Sequence, residues 1–440
     1  MIKRFIRRVL GLPAEATVRV PRGKHGLPRE AITPTAGKVC AVLREAGFSA
    51  YVVGGAVRDL LLGIPPKDFD IATNARPEQV KPLFRRALII GRRFRLVHVM
   101  VGGDTVEVST FRAADPDTAE KDEHGRVLRD NVFGTQAEDA RRRDFTVNAL
   151  YYDPATEEVV DFHGGLADLK KRVLRVIGDP QTRYREDPVR MLRAVRLAAK
   201  LGLTLDPATR APIRSLAPLM ERVPPARLFD EMLKLLLSGH ASACLRQLRE
   251  VGLHKGLLPL LDVILEQPLG ERFVTLALAQ TDERVLAGRP VSPAFLFAAL
   301  LWHEVLAAWK AREGHGERSI SALDHAMDDV LDSQAEKLAI TRKLTATMRE
   351  VWGMQPRFEA RSGPRAFRLL EAPRFRMAYD FLALRAASGE VAAELEAWWR
   401  AFQAADPDTR KAMLLPETAP RKRRRRRRRK PAAASAPKAA

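Results

Sequence analysis

Cysteine, acidic residues and unbroken apolar runs are all in short supply in this chain, and each shortage excludes something. Cys40 and Cys244 are the only two cysteines in 440 residues. With no pairing framework and no metal spacing, they suit a reducing compartment. No run of eighteen or more consecutive apolar residues occurs, so the sequence predicts a soluble, cytoplasmic protein without integral membrane association. No internal repeat is present, which argues against a solenoid. Acidic residues number 54 against 75 Lys and Arg, a formal net charge of +21. That imbalance favours a polyanionic partner, nucleic acid or an anionic membrane surface. The length exceeds what one hydrophobic core usually organises and predicts two or three packed units with tails.

The charge is uneven. Residues 421–430 are ten consecutive basic residues which, with Lys438, carry +11, so the rest of the chain still holds +10. From Pro416 onward Pro, Ala and Arg replace large apolar residues, so that tail cannot bury a core and is expected to be disordered when free. At the other end Ile2, Phe5, Ile6, Val9 and Leu10 share one helical face and Lys3, Arg4, Arg7 and Arg8 another, in a run too broken for a signal peptide. Between the tails, Tyr51-Val-Val, Phe69-Asp-Ile, Leu96 to Val101, Thr105 to Ser109 and Val159-Val-Asp read as strands, which predicts a mixed α/β domain. After Leu166, Leu, Ala and Arg at helical spacing dominate and the remainder reads as all helix. Joints are expected at Pro224-Pro225, Pro268, Pro290, Pro356 and Pro364, because proline resists a helix interior.

Two stretches carry chemistry. In Val52-Val-Gly-Gly-Ala-Val-Arg-Asp-Leu-Leu-Leu-Gly63 a strand runs into a glycine turn and then a helix. Gly54 and Gly55 let backbone amides approach an anion, and Arg58 offers a fork to phosphate oxygens. In Lys67-Asp-Phe-Asp-Ile-Ala-Thr73, Asp68 and Asp70 are two apart on an expected strand and share a face. Adjacent carboxylates repel, and a fold tolerates them best when cations neutralise them.

Gly54-Gly-Ala-Val-Arg-Asp59, Asp68-Phe-Asp70, Arg142-Arg-Asp-Phe-Thr-Val-Asn-Ala149 and Arg185-Glu-Asp-Pro-Val-Arg190 stand in the order found in class II nucleotidyltransferases of the polymerase-beta-like superfamily. That group contains the tRNA CCA-adding enzymes and the bacterial poly(A) polymerases. The resemblance covers roughly residues 30 to 250. It implies a basic N-terminal extension (1–30), a catalytic α/β head with a mixed sheet (31–165), a helical neck that binds base and RNA (166–225), a helical RNA-binding body (226–415) and a disordered Arg-rich tail (416–440). It also implies that Asp68 and Asp70 hold two Mg²⁺ ions, with Mn²⁺ as an alternative, and that ATP is the substrate. A third carboxylate is expected, either Asp144 from the Arg-Arg-Asp motif, which is preferred on its motif, or Glu107 on the strand Thr105-Val-Glu-Val-Ser109. Arg143 and Asn148 take the family's triphosphate and sugar contacts from one helix. Asp187 is a natural N-cap with Pro188 at the first helical position, and by resemblance Asp187 and Arg190 read the edge of the incoming base. Arg193 and Arg196 continue a basic ridge beside an apolar stripe of Val189, Leu192, Val195 and Ala199 and face triphosphate or backbone.

Ile89-Ile-Gly-Arg-Arg-Phe-Arg-Leu-Val-His-Val99 resembles a signature of bacterial poly(A) polymerases and places Arg92, Arg93 and Arg95 between two strands, where they could hold RNA. The basic tail suits nonspecific RNA tethering. The implied function is template-independent polyadenylation of RNA 3′ ends from ATP with release of pyrophosphate, marking RNAs for decay, by a monomer that meets RNA-decay machinery. The competing readings are a tRNA CCA-adding enzyme, distinguished by use of CTP, and an inactive RNA-binding scaffold. Near His303, His315 and His325 no His-Asp dipeptide occurs, so no phosphohydrolase is expected. Arg227 and Glu231 stand at i,i+4 and are expected to brace a helix. Between Trp352 and Phe402, aromatics interleave with Arg357, Arg365, Arg374 and Arg376, a pattern read as helix packing in preference to strand stacking.

Overall fold

A computed structural model describes residues 17–91, 95–113, 120–121, 127–129, 132–254, 268–335 and 338–416. The amphipathic N-terminal face, Arg92, Arg93 and the basic tail lie outside the described residues. The chain forms two compact units, divided after Met348.

The first unit opens with an α/β layer. Its strands are β1 (Val18–Pro21), β2 (Ala50–Val53), β3 (Asp70–Thr73), β4 (Ala87–Ile90), β5 (Leu96–Val101), β6 (Asp104–Thr110), a separate hairpin of β7 (Glu120–Lys121) and β8 (Val127–Arg129), then β9 (Leu150–Asp153) and β10 (Glu158–Asp161). Eight of them form one sheet in the order β1-β10-β9-β2-β3-β6-β5-β4. Only the β3–β6 pair is parallel, with Asp70 opposite Glu107, so the sheet is mixed as the sequence predicted. The central β2 is buried along its whole length, consistent with its unbroken apolar text. The helix Pro34–Glu45 covers it. Thr33 caps that helix and Pro34 opens it, while Ala36, Val39, Cys40 and Leu43 recur at helical spacing on the buried face packed on β2, β3 and β6.

A single carboxylate organises the turn after β10. Asp161 is buried and accepts backbone N–H bonds from His163, Gly164 and Gly165 on one oxygen (2.9–3.0 Å) and from Leu166 on the other (3.0 Å). This brings Gly165 against the segment that carries Asp144 and Asn148: a Cβ at Gly165 would lie 2.3 Å from the carbonyl oxygen of Thr146. The same segment is fastened by Thr146 Oγ1 donating to Asp168 (2.7 Å) and by Ile177 N–H donating to the Asp144 carbonyl (3.1 Å).

Beyond Leu166 the described elements are helical apart from the short parallel pair β11 (Val173–Leu174) and β12 (Thr204–Leu205), which carried too few residues to show a period of two. The helix Val189–Leu201 buries Val189, Met191, Leu192, Ala194, Val195, Leu197, Ala198 and Leu201, a wider apolar face than the four-residue stripe, and ends at left-handed Gly202. The predicted prolines stand at or near joints: Pro225, Pro268 and Pro364 lie at the starts of Pro225–Leu236, Pro268–Leu286 and Gly363–Leu370. Pro293–Gly314 is long and apolar enough to cross a membrane by length and composition, although broken by His303 and Glu304. Its residues Leu296 to His303 are buried within the protein, which identifies it as a core helix.

In the second unit Phe358, Phe375, Tyr379, Leu382, Trp399 and Phe402 form the core, and Trp399 donates its indole N–H to the Phe358 carbonyl (2.8 Å). Arg357, Arg365, Arg374 and Arg376 are exposed on this unit. The interleaved aromatics therefore pack inward while the arginines remain in solvent.

Gly165→Ala forces a Cβ against the Thr146 carbonyl without changing charge. It is expected to destabilise the first unit by roughly 1–3 kcal/mol through overpacking, read as a lower thermal unfolding midpoint, whereas Gly63→Ala, which meets no atom within 4 Å but is strained by its positive φ of 73°, costs less.

Candidate active site

The glycine turn forms as the sequence predicts. Gly54 has φ +76°, a conformation that favours glycine, and a Cβ there would crowd Arg143 Nη1 at 3.2 Å. The helix Gly55–Leu61 follows, but its Arg58 is turned inward. Arg58 is 6% exposed, and its guanidinium donates to Asp59 Oδ1 (2.8 Å) and to Asn148 Oδ1 (2.5 Å). Its donors face protein acceptors, so it braces the turn.

Asp68 lies just before β3 and Asp70 begins it. The alternation nevertheless holds: Phe69 is buried and both carboxylates are exposed. The parallel register sets Glu107 of β6 beside Asp70, and Glu107 meets His98 of the neighbouring β5 at 3.2 Å. The Asp70 pKa is raised to about 6, by the protein volume packed behind the carboxylate and by the Glu107 charge, with Arg143 opposing and Asp68 adding to the rise. Like charge has been gathered here at an electrostatic cost. Among the described residues no group of three His, Cys, Asp or Glu side chains is drawn together to hold an ion unaided.

Arg143 caps the helix Gln136–Arg142, while Asn148 ends a separate 3₁₀ turn, Thr146–Asn148. The expectation that both project from one helix is thus corrected: Asp144 and Phe145 break the helix between them, and the Asp144 side chain takes the Phe145 N–H (2.8 Å). Arg143 is aimed by Asp139 (Nη2 to Oδ2, 3.1 Å) and by the Tyr151 hydroxyl (3.1 Å), which itself donates to Asp139 (2.7 Å). Asp144 accepts from Asn148 Nδ2 (2.9 Å) and is gripped by Arg193, whose Nε lies 2.9 Å from Oδ2. Burial alone would raise the Asp144 pKa, but Arg193, the Asn148 amide and the Phe145 N–H outweigh it and hold the carboxyl at about 2. Of the two candidates for a third carboxylate, the fold sets Glu107 beside Asp70 and engages Asp144 with Arg193 and Asn148.

The Glu-Asp-Pro segment joins two helices, Pro180–Glu186 and Val189–Leu201. Helical geometry starts at Val189, one residue later than expected, and Asp187 still accepts the Val189 N–H (3.3 Å). Its other oxygen is held by Arg227 (2.6 Å). Arg190 donates to the Arg183 carbonyl (2.7 Å) and to Glu186 (3.0 Å), and Arg183 reaches across to the carbonyls of Arg142 and Arg143 (2.8 Å each). The anticipated Arg227–Glu231 brace is corrected: Arg227 goes to Asp187, and Glu231 goes to Arg193 (3.8 Å), Arg196 (3.5 Å) and Lys234 (3.0 Å). Glu231 is buried against the helix that carries Arg193 and Arg196, whereas Arg227 stays exposed and reaches over to Asp187. Arg95 pairs with Glu78 (2.5 Å). Sequence reasoning did not single out Asp139, Tyr151 or Arg183. Arg183 lies two residues before the Arg185–Arg190 motif, and nothing local marked the carbonyls it grips.

Three family models match: "Poly A polymerase head domain" over residues 50–175, "Probable RNA and SrmB- binding site of polymerase A" over 202–265 and "Polymerase A arginine-rich C-terminus" over 315–431. Poly(A) polymerase I of Escherichia coli O6:H1 is 48% identical over 90% of this chain and 88% of its own length. A CCA-adding enzyme of Streptococcus pneumoniae is 43% identical but over only 44% of this chain and 48% of its own. In structure, the Bacillus stearothermophilus CCA-adding enzyme solved with CTP aligns at TM-score 0.56 and 27% identity over 87% of this chain and 82% of that one. The likeness to CCA-adding enzymes is partial in sequence, whereas the likeness to Poly(A) polymerase I runs through head, middle and C-terminal segments; the chain belongs to the bacterial poly(A) polymerase family.

Proposed function

We propose that this protein adds adenylate from ATP to RNA 3′ ends without a template and releases pyrophosphate. The observation that carries this is the carboxylate cluster at the β3–β6 register, with Asp70 raised to about pKa 6 by desolvation, by Glu107 and by Asp68, and facing the cation of Arg143 beside the Gly54 turn. Full-length similarity to Poly(A) polymerase I favours ATP over a CCA-adding activity. In the reaction the RNA 3′-hydroxyl oxygen bonds to the α-phosphorus of ATP, the bond to the β-phosphate bridge breaks, and the hydroxyl proton is lost to water.

The donor set fits divalent cations. Asp68, Asp70 and Glu107 are hard oxygen donors with mutual repulsion to relieve, and Mg²⁺ is commonly held by one or two carboxylates plus substrate phosphates. We assign Glu107, in preference to Asp144, as the third carboxylate. When bound, Mg²⁺ lowers the pKa of a hydroxyl and offsets charge on a triphosphate. The chain's own residues supply the rest. Backbone amides of the glycine turn and Arg143, preset by Asp139 and Tyr151, meet phosphate oxygens. Asp187 as acceptor and Arg190 as donor complement the amino group and ring nitrogen of adenine. Cytosine presents the same pair, so choice between them rests on the depth fixed by Arg227 and Glu186. Arg92, Arg93 and Arg95 contribute RNA contacts, and marking of RNA for decay, a monomeric state and cytoplasmic residence belong to the same reading.

Extension of a generic RNA and of a tRNA lacking CCA, with single nucleotides and Mg²⁺, is expected to yield ATP-only tails on the generic RNA, reduced at least about a thousandfold in Asp70→Asn. Tails that need CTP and stop after CCA would transfer the protein to the rival activity, and no incorporation would favour a scaffold. Glu107→Gln is expected to weaken Mn²⁺ binding about tenfold or more, whereas Asp144→Asn leaves Mn²⁺ affinity within about threefold and lowers the unfolding midpoint by breaking a buried ion pair; the reverse pattern would restore Asp144 as the ligand.

The pH dependence has a definite sign. A carboxyl whose folded pKa is raised binds its proton more tightly folded than unfolded, so metal-free stability falls as pH rises from about 4 to about 6. Mg²⁺ should reverse that fall, and thermal unfolding across pH with and without Mg²⁺ should show the difference vanishing in Asp70→Asn.

A further inference from the structure

The helix Pro225–Leu236 packs against Val189–Leu201, and its buried face, Leu228, Phe229, Met232, Leu235 and Leu236, is apolar apart from Glu231. Glu231 is 6% exposed. Burying a carboxylate costs several kcal/mol unless its partners are close and well aligned, and here they are only partly so. Oε1 receives Lys234 at 3.0 Å, but Arg193 stands 3.8 Å away. Oε2 lies 3.5 Å from Arg196 and accepts no hydrogen bond, and the buried Nε of Arg196 has no hydrogen-bond partner either. A brace for helix packing would be better made from a leucine. An incompletely satisfied buried charge needs another reason to be there.

The reason lies in the two arginines. Three apart on one helix, Arg193 and Arg196 lie side by side and repel. Asp144 restrains Arg193 from the head side, and nothing else described restrains Arg196 but Glu231. Without Glu231 the pair would splay. Loose contacts at 3.5–3.8 Å keep the guanidinium donors oriented while leaving them capacity for stronger acceptors, which phosphate oxygens are.

We infer that Glu231 is a positioning residue that presets Arg193 and Arg196 as a paired receptor for substrate phosphates, those of the ATP triphosphate or of the RNA backbone. This rests on the polymerase reading above. The balance is electrostatic: two carboxylates, Asp144 and Glu231, restrain two guanidiniums, and an incoming polyanion displaces the weaker restraint.

The test compares full-length wild type, Glu231→Gln and Glu231→Asp. Steady-state extension gives separate KM values for ATP and RNA, with unfolding midpoints measured in parallel, and equilibrium binding of a non-hydrolysable ATP analogue and of a short RNA needs no turnover. Glu231→Gln, near-isosteric and uncharged, is expected to raise KM and Kd about tenfold for one phosphate ligand with kcat within about twofold, and the ligand affected identifies the source. Glu231→Asp keeps the charge, should fold if the glutamine variant does not, and is expected to give an intermediate rise. Unchanged KM and Kd in both variants, or a lowered midpoint as their sole effect, would reduce Glu231 to a structural brace and overturn the inference. Failure of the polymerase reading would appear separately, as wild-type protein that incorporates no adenylate.

Discussion

The ion pair between Asp144 and Arg193 ties the catalytic layer to the helix that follows it. Asp144 sits in the segment between a helix and a 3₁₀ turn, and Arg193 lies on the helix Val189–Leu201. Their contact is one link in a longer polar series. Asp59 receives Arg58, Arg58 donates to Asn148, Asn148 donates to Asp144, Asp144 grips Arg193, and Arg193 stands next to Glu231. The series runs from the glycine turn to the helix Pro225–Leu236 and alternates in charge or hydrogen-bonding sense at each step. A displacement at one end is therefore felt as a lost partner at the next, in surroundings where an unpaired polar group is costly.

Around this series the site separates two kinds of carboxylate. Asp68 and Asp70 stand at the start of the interior strand β3 with Glu107 on its parallel neighbour β6, and burial together with the Glu107 charge pushes Asp70 to about 6. Asp144 is buried with ample positive charge and is held at about 2. The first group is suited to receive cations and the second to orient arginines. Opposite shifts in neighbouring carboxyls separate roles that the residue type alone leaves merged.

Much of this was legible from local text. Gly54-Gly55 before a helix, Asp68-x-Asp70 around a buried Phe69, and five strand segments could be read because their signals are local: a turn that needs positive φ and an alternation of period two. The order of four motifs then pointed to the family. What escaped was non-local. Of the candidates for a third carboxylate Asp144 was preferred on its motif over Glu107, and it was the parallel β3–β6 register that put Glu107 beside Asp70. Arg58 read as a phosphate fork, and its guanidinium is buried against Asp59 and Asn148, partners that no local signal marked. Arg227 and Glu231, neighbours along a helix, found partners on other elements instead.

The sequence by itself determined the chemistry that is available: paired carboxylates, a phosphate-sized glycine turn, a basic ridge and an excess of positive charge, because side-chain type and near-neighbour spacing depend on covalent order alone. Only the tertiary structure decided which carboxylate stands beside Asp70 and which pairs with arginine, because that depends on strand register and helix docking. Those are settled by the burial of residues far apart in the chain, and a shift of one position would exchange the partners.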